Sequence, residues 1–338
     1  MNFGNWIGFV AFFLSVFVLW QIRQLLLLIF TAVVVATSLN ILVGKFCLLG
    51  IRRGYGVALA ILTLVGIIFL LFQLVVPPLI GQFQELAALI PLAIVKLNDW
   101  LDILSSNLDP EIIDYLPDAE EITEQLQPLI EQFLGGGLSF FYSSLGTLLS
   151  SLLLLALSLM LLADPTAYRL AFTRLFPAFY RQRVNEILIL CNRSLRGWLV
   201  GIIFNILVIT ILSFIGLLIL RIPLALAQAV LAGTLTFIPN IGPTLSVLPP
   251  MAIALIGDPW KSLVVLFFYI IIQQLESNIL TPWIVSQRVS LLPAITLLSQ
   301  IFFATFFGFL GLLIALPLTI VGQVWVKEVL IKDVLDRW

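Results

Sequence analysis

The sequence predicts an all-α, polytopic membrane protein of about eight membrane segments, and three observations carry that prediction. Of 338 residues, 61% are hydrophobic and only 10% charged, against about 45–50% and about 25% in soluble globular chains. Apolar runs of 17 to 25 residues recur along the chain, enough at about 1.5 Å per residue to cross a hydrocarbon core about 30 Å thick. The few charges are sorted by segment. Between Pro77 and Gly137 stand eleven of the eighteen acids against Lys96 alone, whereas Asp164 to Arg196 carries Arg169, Arg174, Arg181, Arg183, Arg193 and Arg196 against Asp164 and Glu186. Lys and Arg accumulate on the cytoplasmic side, which puts the basic stretch inside, the acidic stretch outside and both termini in the cytoplasm.

The elements follow in that frame. Residues 1–76 hold the N-terminal transmembrane helices, near 4–20, 25–43 and 55–76, with the Lys45, Arg52 and Arg53 loop on the inside. Met1 to Trp6 has no basic stretch and no small-residue cleavage site follows, so the first helix is read as a retained span and not a signal peptide. Residues 77–137 form an acidic helical extracytoplasmic domain. There Ile122, Leu126, Leu129, Ile130, Phe133 and Leu134 keep helical spacing behind Asp118 as N-cap and Glu121 three residues on. It serves as an oligomer contact or lid, or else as a vestibule that concentrates cations. Residues 138–163 form a transmembrane helix. Residues 164–196 are basic amphipathic cytoplasmic helices, opening on Asp164-Pro165 as N-cap and first-turn proline. Val184, Ile187, Leu188, Cys191 and Leu195 make an apolar face suited to lying on the anionic inner membrane surface. Trp6, Trp20, Trp198, Trp260 and Trp325 fall near span ends, where indole rings anchor.

Residues 197–326 form the core, with two helix-hairpin repeats, and 327–338 a cytoplasmic tail. A span near 197–220 comes first. An apolar limb from Ala225 to Ile238 then runs into Pro239-Asn240-Ile241-Gly242-Pro243 and returns from Thr244 to Ile256 through Pro249 and Pro250. Fourteen residues of helix reach only about 21 Å, short of the hydrocarbon core, so the unit reads as a re-entrant hairpin. After the span Leu263 to Ile279, a second unit follows: a limb from Ala294 to Phe307, a tip at Gly308-Phe309-Leu310-Gly311, and a return to Trp325 through Pro317. A single continuous span through Gly308 is the competing reading. The intervening span gives the two hairpins opposite orientations. Paired broken elements of that kind are the sequence signature of inverted-repeat secondary transporters, whose sites lie near the bilayer midplane.

Absences exclude other chemistry. With no histidine, imidazole proton relays and the commonest zinc sites are out. Cys47 and Cys191 lack C-x-x-C spacing, and no Walker loop, dinucleotide fingerprint or H-E-x-x-H occurs. The expectation is a protein that is not an enzyme and has no cofactor, no metal centre and no nucleic-acid partner; the arginine cluster beside a span is read as an orientation signal.

The candidate site centres on Glu276, the carboxylate most deeply embedded in an apolar span. A charge at the bilayer centre costs about 2.5–3.5 kcal/mol on insertion scales, so it either faces a substrate, proton or cation or forms a structural clamp with Gln274 and Asn278. Broken backbone at membrane depth survives only where it is buried or lines a cavity. That adds Pro239, Asn240 and Gly242 at the first tip and Gly308 at the second, with Gln300 on the second limb. Asn205, Gln228 and Gln300 are read chiefly as interhelical hydrogen-bonding residues.

The tip Ile238-Pro239-Asn240-Ile241-Gly242-Pro243, then Gln273-Gln274-x-Glu276-x-Asn278 with Pro282, then Val289-x-Leu291-x-Pro293, then Gly308-x-x-Gly311 and Ala315-x-Pro317, resemble the ordered signature of the autoinducer-2 exporter family of bacterial permeases. Arg196-Gly197 and Arg221-Ile222-Pro223 fit as well. Trp283 and Ser286 depart from it, standing where a basic residue and a glycine are common. The match is specific from about Leu195 to Val321. The resemblance implies an inner-membrane, homo-oligomeric transporter, a pentamer being one candidate assembly. It implies partners among membrane lipid, a small polar solute such as autoinducer-2, and sodium ion and proton, since members are associated with solute export or with sodium/proton antiport. Asn240, Gln274 and Asn278 would serve a hydroxyl-rich solute and Glu276 a cation exchange; a non-transporting membrane scaffold is the third reading.

Overall fold

A computed structural model of the chain describes residues 13–15, 17–74, 77, 145–239, 241–280 and 292–337. Among them no strand occurs, and five helices are long and apolar enough to cross a membrane, six if a pair bent by 94° at Asp164 counts as one span. The acidic segment 78–137 and most of the first predicted span lie outside the described residues. The chain divides into two compact units, one of Met1–Val65, Leu149–Gly201 and Val285–Trp338, the other of Gly66–Leu148 and Ile202–Ile284.

In the first unit, helix α1 (Arg23–Leu48) ends in a Schellman turn. Gly50 takes φ 87°, its N–H bonds the Cys47 carbonyl at 3.0 Å and that of Ile51 bonds Phe46 at 3.2 Å. The chain reverses there into α2 (Arg53–Leu74). Ala36, Leu39, Val43, Ala60 and Leu162 form the buried seam, to which α3 (Leu145–Ala163) contributes Leu162. Asp164 then caps α4 (Pro165–Arg174), accepting from Ala167 N–H at 3.1 Å and from the Thr166 hydroxyl at 2.6 Å. Those bonds hold its carboxyl below the ordinary carboxylate range, the Thr166 hydroxyl contributing most.

The next helix departs from expectation. The basic stretch and the following span form one continuous helix, α5 (Arg181–Ile219), about 58 Å long at 1.5 Å per residue. Gly197 costs a helix only about 1 kcal/mol and no proline intervenes, so nothing breaks the chain at the expected boundary. Val184, Ile187, Cys191 and Leu195, expected to face lipid, are instead buried in protein.

The C-terminal segment closes over that region. Arg183 donates to Glu328 at 2.9 Å and to Asp333 at 3.1 Å, Lys332 bonds Glu328 at 2.7 Å, and the Tyr180 hydroxyl bonds Asp333 at 2.8 Å. Glu328 and Asp333 lie on a wide π-type turn, Val326–Val334. Lys332, then Arg183, hold the Glu328 carboxyl below its ordinary value, and its carboxylate partners hold the Arg183 guanidinium above its own. Removing Arg183 leaves the buried Glu328 short of a partner, and Arg183→Ala is expected to cost about 2–3 kcal/mol, read as faster hydrogen exchange over Val326–Val334. The pH dependence has a fixed sign. A carboxylate depressed in the folded state stabilises above its unfolded value of 4.5, and that contribution is lost as pH falls through the folded value. The exchange protection factor over the same segment, corrected for the intrinsic pH dependence of exchange, should therefore be flat from neutral pH down to about 4.5 and fall below it.

In the second unit, the last part of α5 packs with α6 (Ala225–Leu235), α7 (Ile241–Gly257) and α8 (Pro259–Leu275) around Ile209, Leu217, Ile222, Ala232, Ala254, Val265, Tyr269 and Ile272. Small residues let the helices approach. The Phe268 ring covers Gly216, and a Cβ at Gly233 would collide with the Thr210 hydroxyl. Limbs α6 and α7, of 11 and 17 residues, reach about 16 and 25 Å and turn back on each other. A Cβ at Gly242 would run into the Leu235 carbonyl.

The same device recurs in the first unit. Helix α9 (Pro293–Trp325) is broken at Gly308, with φ 65° and ψ −150°, a region open essentially to glycine alone. In a continuous helix, Gly311 would lie about 12 Å from Phe303, eight residues earlier. A Cβ at Gly311 would instead collide with the Phe303 carbonyl, so the helix bends sharply at Gly308 and is not one straight rod.

Candidate functional site

Glu276 begins a π-type turn, Glu276–Leu280, that continues α8. Such turns widen a helix to i→i+5 bonding and recur at functional sites. Its side chain is buried, and the Asn205 side-chain amide donates to Glu276 Oε1 at 2.6 Å. Asn205 comes from α5, nine residues (about 13 Å) past Arg196 and sixteen residues (about 24 Å) before Arg221 at 1.5 Å per residue. The stretch between these arginines holds no other charged residue. Glu276 is thereby tied into the apolar interior of α5, away from its charged ends.

The expected clamp is corrected. Asn278 donates to Gln274 at 2.8 Å, and both residues are exposed. At about 100° per residue, positions 274 and 278 share a face nearly opposite position 276, so they bond each other and leave Glu276 to another helix. That angular count was available from the sequence. The identity of the partner was not, because residue 205 lies 71 positions away. The signal that marks it is an isolated amide in an apolar span.

Of the other expected site residues, Pro239 and Gly242 form the first tip, where the Gly242 N–H bonds the Ile238 carbonyl at 2.8 Å, and Asn240 lies outside the described residues. Gln300 and Gly308 belong to the first unit, Gln300 buried on α9 and Gly308 at its break. Gln228 is also buried, but its amide donates locally to the Pro223 carbonyl at 2.9 Å, within its own turn region and not across helices. Among the described residues no group of three or more Cys, Asp or Glu side chains could hold a metal ion.

Residues 7–331 match the family described as AI-2E family transporter. The chain is similar to YhhT of Escherichia coli (strain K12), whose name describes a transport protein, at 26% identity over 90% of this chain and 84% of that one. It is similar to PerM of the same organism, named as a permease, at 27% identity over 86% and 80%. A shorter stretch, 31% of this chain and 30% of the relative, is 34% identical to the AI-2 transport protein TqsA of Escherichia coli (strain K12).

Proposed function

The chain belongs to the AI-2E family of transporters, and from that premise we propose that it is a secondary transporter moving a small polar solute across the bacterial inner membrane by alternating access, with Glu276 as the residue whose charge changes during the cycle. The observation that carries this reading is the Asn205–Glu276 pair. A carboxyl group on a span of 21 residues is buried with one amide donor, too few bonds to offset the desolvation of a bare carboxylate. Taking up a proton or a cation offsets that cost, and alternation between the two couples a solute to an ion gradient. Autoinducer-2, which TqsA's name gives as its solute, fits a site in which Glu276 is accompanied by the neutral amide of Asn205.

Sodium/proton antiport is the second reading, favoured by the same carboxylate, since cation exchange needs a titrating group and little else. Both readings keep a homo-oligomer with cytoplasmic termini. Proteoliposomes separate them. Sodium-induced proton release without added solute supports antiport, solute flux that follows an imposed gradient supports export, and failure of every gradient to drive either would contradict both.

A further inference from the structure

Above the Asn205–Glu276 pair, the second unit buries polar atoms that no protein group satisfies. Among the described residues, Asn205 Oδ1, Ser213 Oγ, Gln228 Oε1 and the Tyr269 hydroxyl have no hydrogen-bond partner. Their side chains are buried, Ser213 at 0%, Gln228 at 1%, Tyr269 at 5% and Asn205 at 9% exposure. Leaving such a group unmet costs about 1–3 kcal/mol each.

The four are ordered along the helices. Tyr269 precedes Glu276 by seven residues on α8, two turns along the same face, and Ser213 follows Asn205 by eight on α5. Because α5 and α8 run antiparallel here, Asn205 meets Glu276 and, two turns on, Ser213 faces Tyr269; Phe268 over Gly216 continues the register. The two hydroxyls approach without the geometry of a hydrogen bond. Even bonded to each other they would leave one O–H in search of an acceptor. Gly233 packs at Thr210 and Ile206 of α5, so Gln228 on α6, five residues nearer the α5–α6 turn, lies at about the level of Ser213 along α5, and its side-chain carbonyl is also unmet. Buried polar atoms of this density are ordinarily bridged by internal water, each molecule making about three hydrogen bonds.

We infer that Asn205, Ser213, Gln228 and Tyr269 hold a file of water molecules leading from Glu276 toward the Asp258 end of α8, and that protons reach Glu276 along it. The titratable groups on the helices packed around the file are Tyr269 and Glu276 themselves. Lys261 stands fifteen residues before Glu276, about 22 Å away, and α6, α7 and residues 197–219 of α5 carry no charged side chain. The inference rests on the proposed role of Glu276, and its tests keep the two apart.

Radiolytic hydroxyl labelling reads the water directly in the wild-type protein. Bound water beside a buried ring makes Tyr269 react despite its burial, at a rate comparable with Tyr55, which is 70% exposed. A Tyr269 left unmodified while Tyr55 reacts overturns the file. Proton flux into dye-loaded proteoliposomes reads its use. Ser213→Ala with Tyr269→Phe should slow proton delivery about tenfold, the effect of about 1.4 kcal/mol on a barrier, with an enlarged solvent deuterium isotope effect. If Glu276→Gln is inactive while the double variant keeps the wild-type rate and isotope effect, the path is wrong and the role of Glu276 stands. If Glu276→Gln transports normally, the role of Glu276 itself falls.

Discussion

Glu276→Gln is expected to abolish gradient-driven flux in proteoliposomes, by about a hundredfold or more, the order by which removing a positioned proton-transfer group slows a reaction, while leaving the protein folded. Glutamine keeps an oxygen for the Asn205 amide, which donates at 2.6 Å, and it fits the same volume, so the hydrogen bond that ties α5 to α8 survives. Only the ability to change charge is removed. Asn205→Leu makes the complementary change. It leaves the carboxyl in place and strips the one donor it has among the described residues, which costs a charged group about 1.5–3 kcal/mol. Flux should fall by about tenfold to a hundredfold, with its pH profile displaced. A merely structural pair would show the reverse order, with Asn205→Leu the more damaging change and Glu276→Gln nearly silent.

The second large effect is expected at the hairpin tips. At Gly242 and Gly311 the obstacle to a side chain is a backbone carbonyl, that of Leu235 and Phe303 respectively. A carbonyl in a packed helix cannot swing aside as the end of a side chain can. Gly242→Val and Gly311→Val should therefore open the tips, each at a cost of about 1–3 kcal/mol or more, with lower thermal midpoints in detergent and little flux. Gly308→Ala carries no steric clash, since nothing lies within 4 Å of its Cβ position. Its penalty comes from φ 65° and ψ −150° alone, about 1–3 kcal/mol. Gly322, which also has nothing within 4 Å and keeps ordinary helical geometry, is the control. Gly322→Ala should be neutral or slightly stabilising.

What could be read from the sequence followed local physics. Asp164-Pro165 announces a capped helix start because the cap and the first-turn proline act within three residues. The tips could be found because Pro and Gly act on their own backbone, and Glu276 stood out because a carboxylate amid apolar residues is costly wherever it sits. What could not be read depended on partners far along the chain. The face of Val184, Ile187, Cys191 and Leu195 has the pattern of a helix lying on lipid, and the same pattern serves when the cover is protein. Helix α5 runs on through Gly197 because one glycine is a weak breaker. The pairing of Asn205 with Glu276, and the alignment of Ser213 with Tyr269, follow from a helix register that no local signal encodes.

Carbodiimide labelling of the wild-type protein tests the central claim most directly, since dicyclohexylcarbodiimide reaches carboxyls within membranes and reacts with them in the protonated form. If Glu276 is the residue that exchanges its charge, peptide mass analysis will find it modified, faster as pH falls. Transport will be lost in step with its modification, and the transported ion or solute will slow the reaction. Full modification of Glu276 with flux intact, or flux at the wild-type rate under conditions that leave Glu276 unreactive at every pH, would contradict the account.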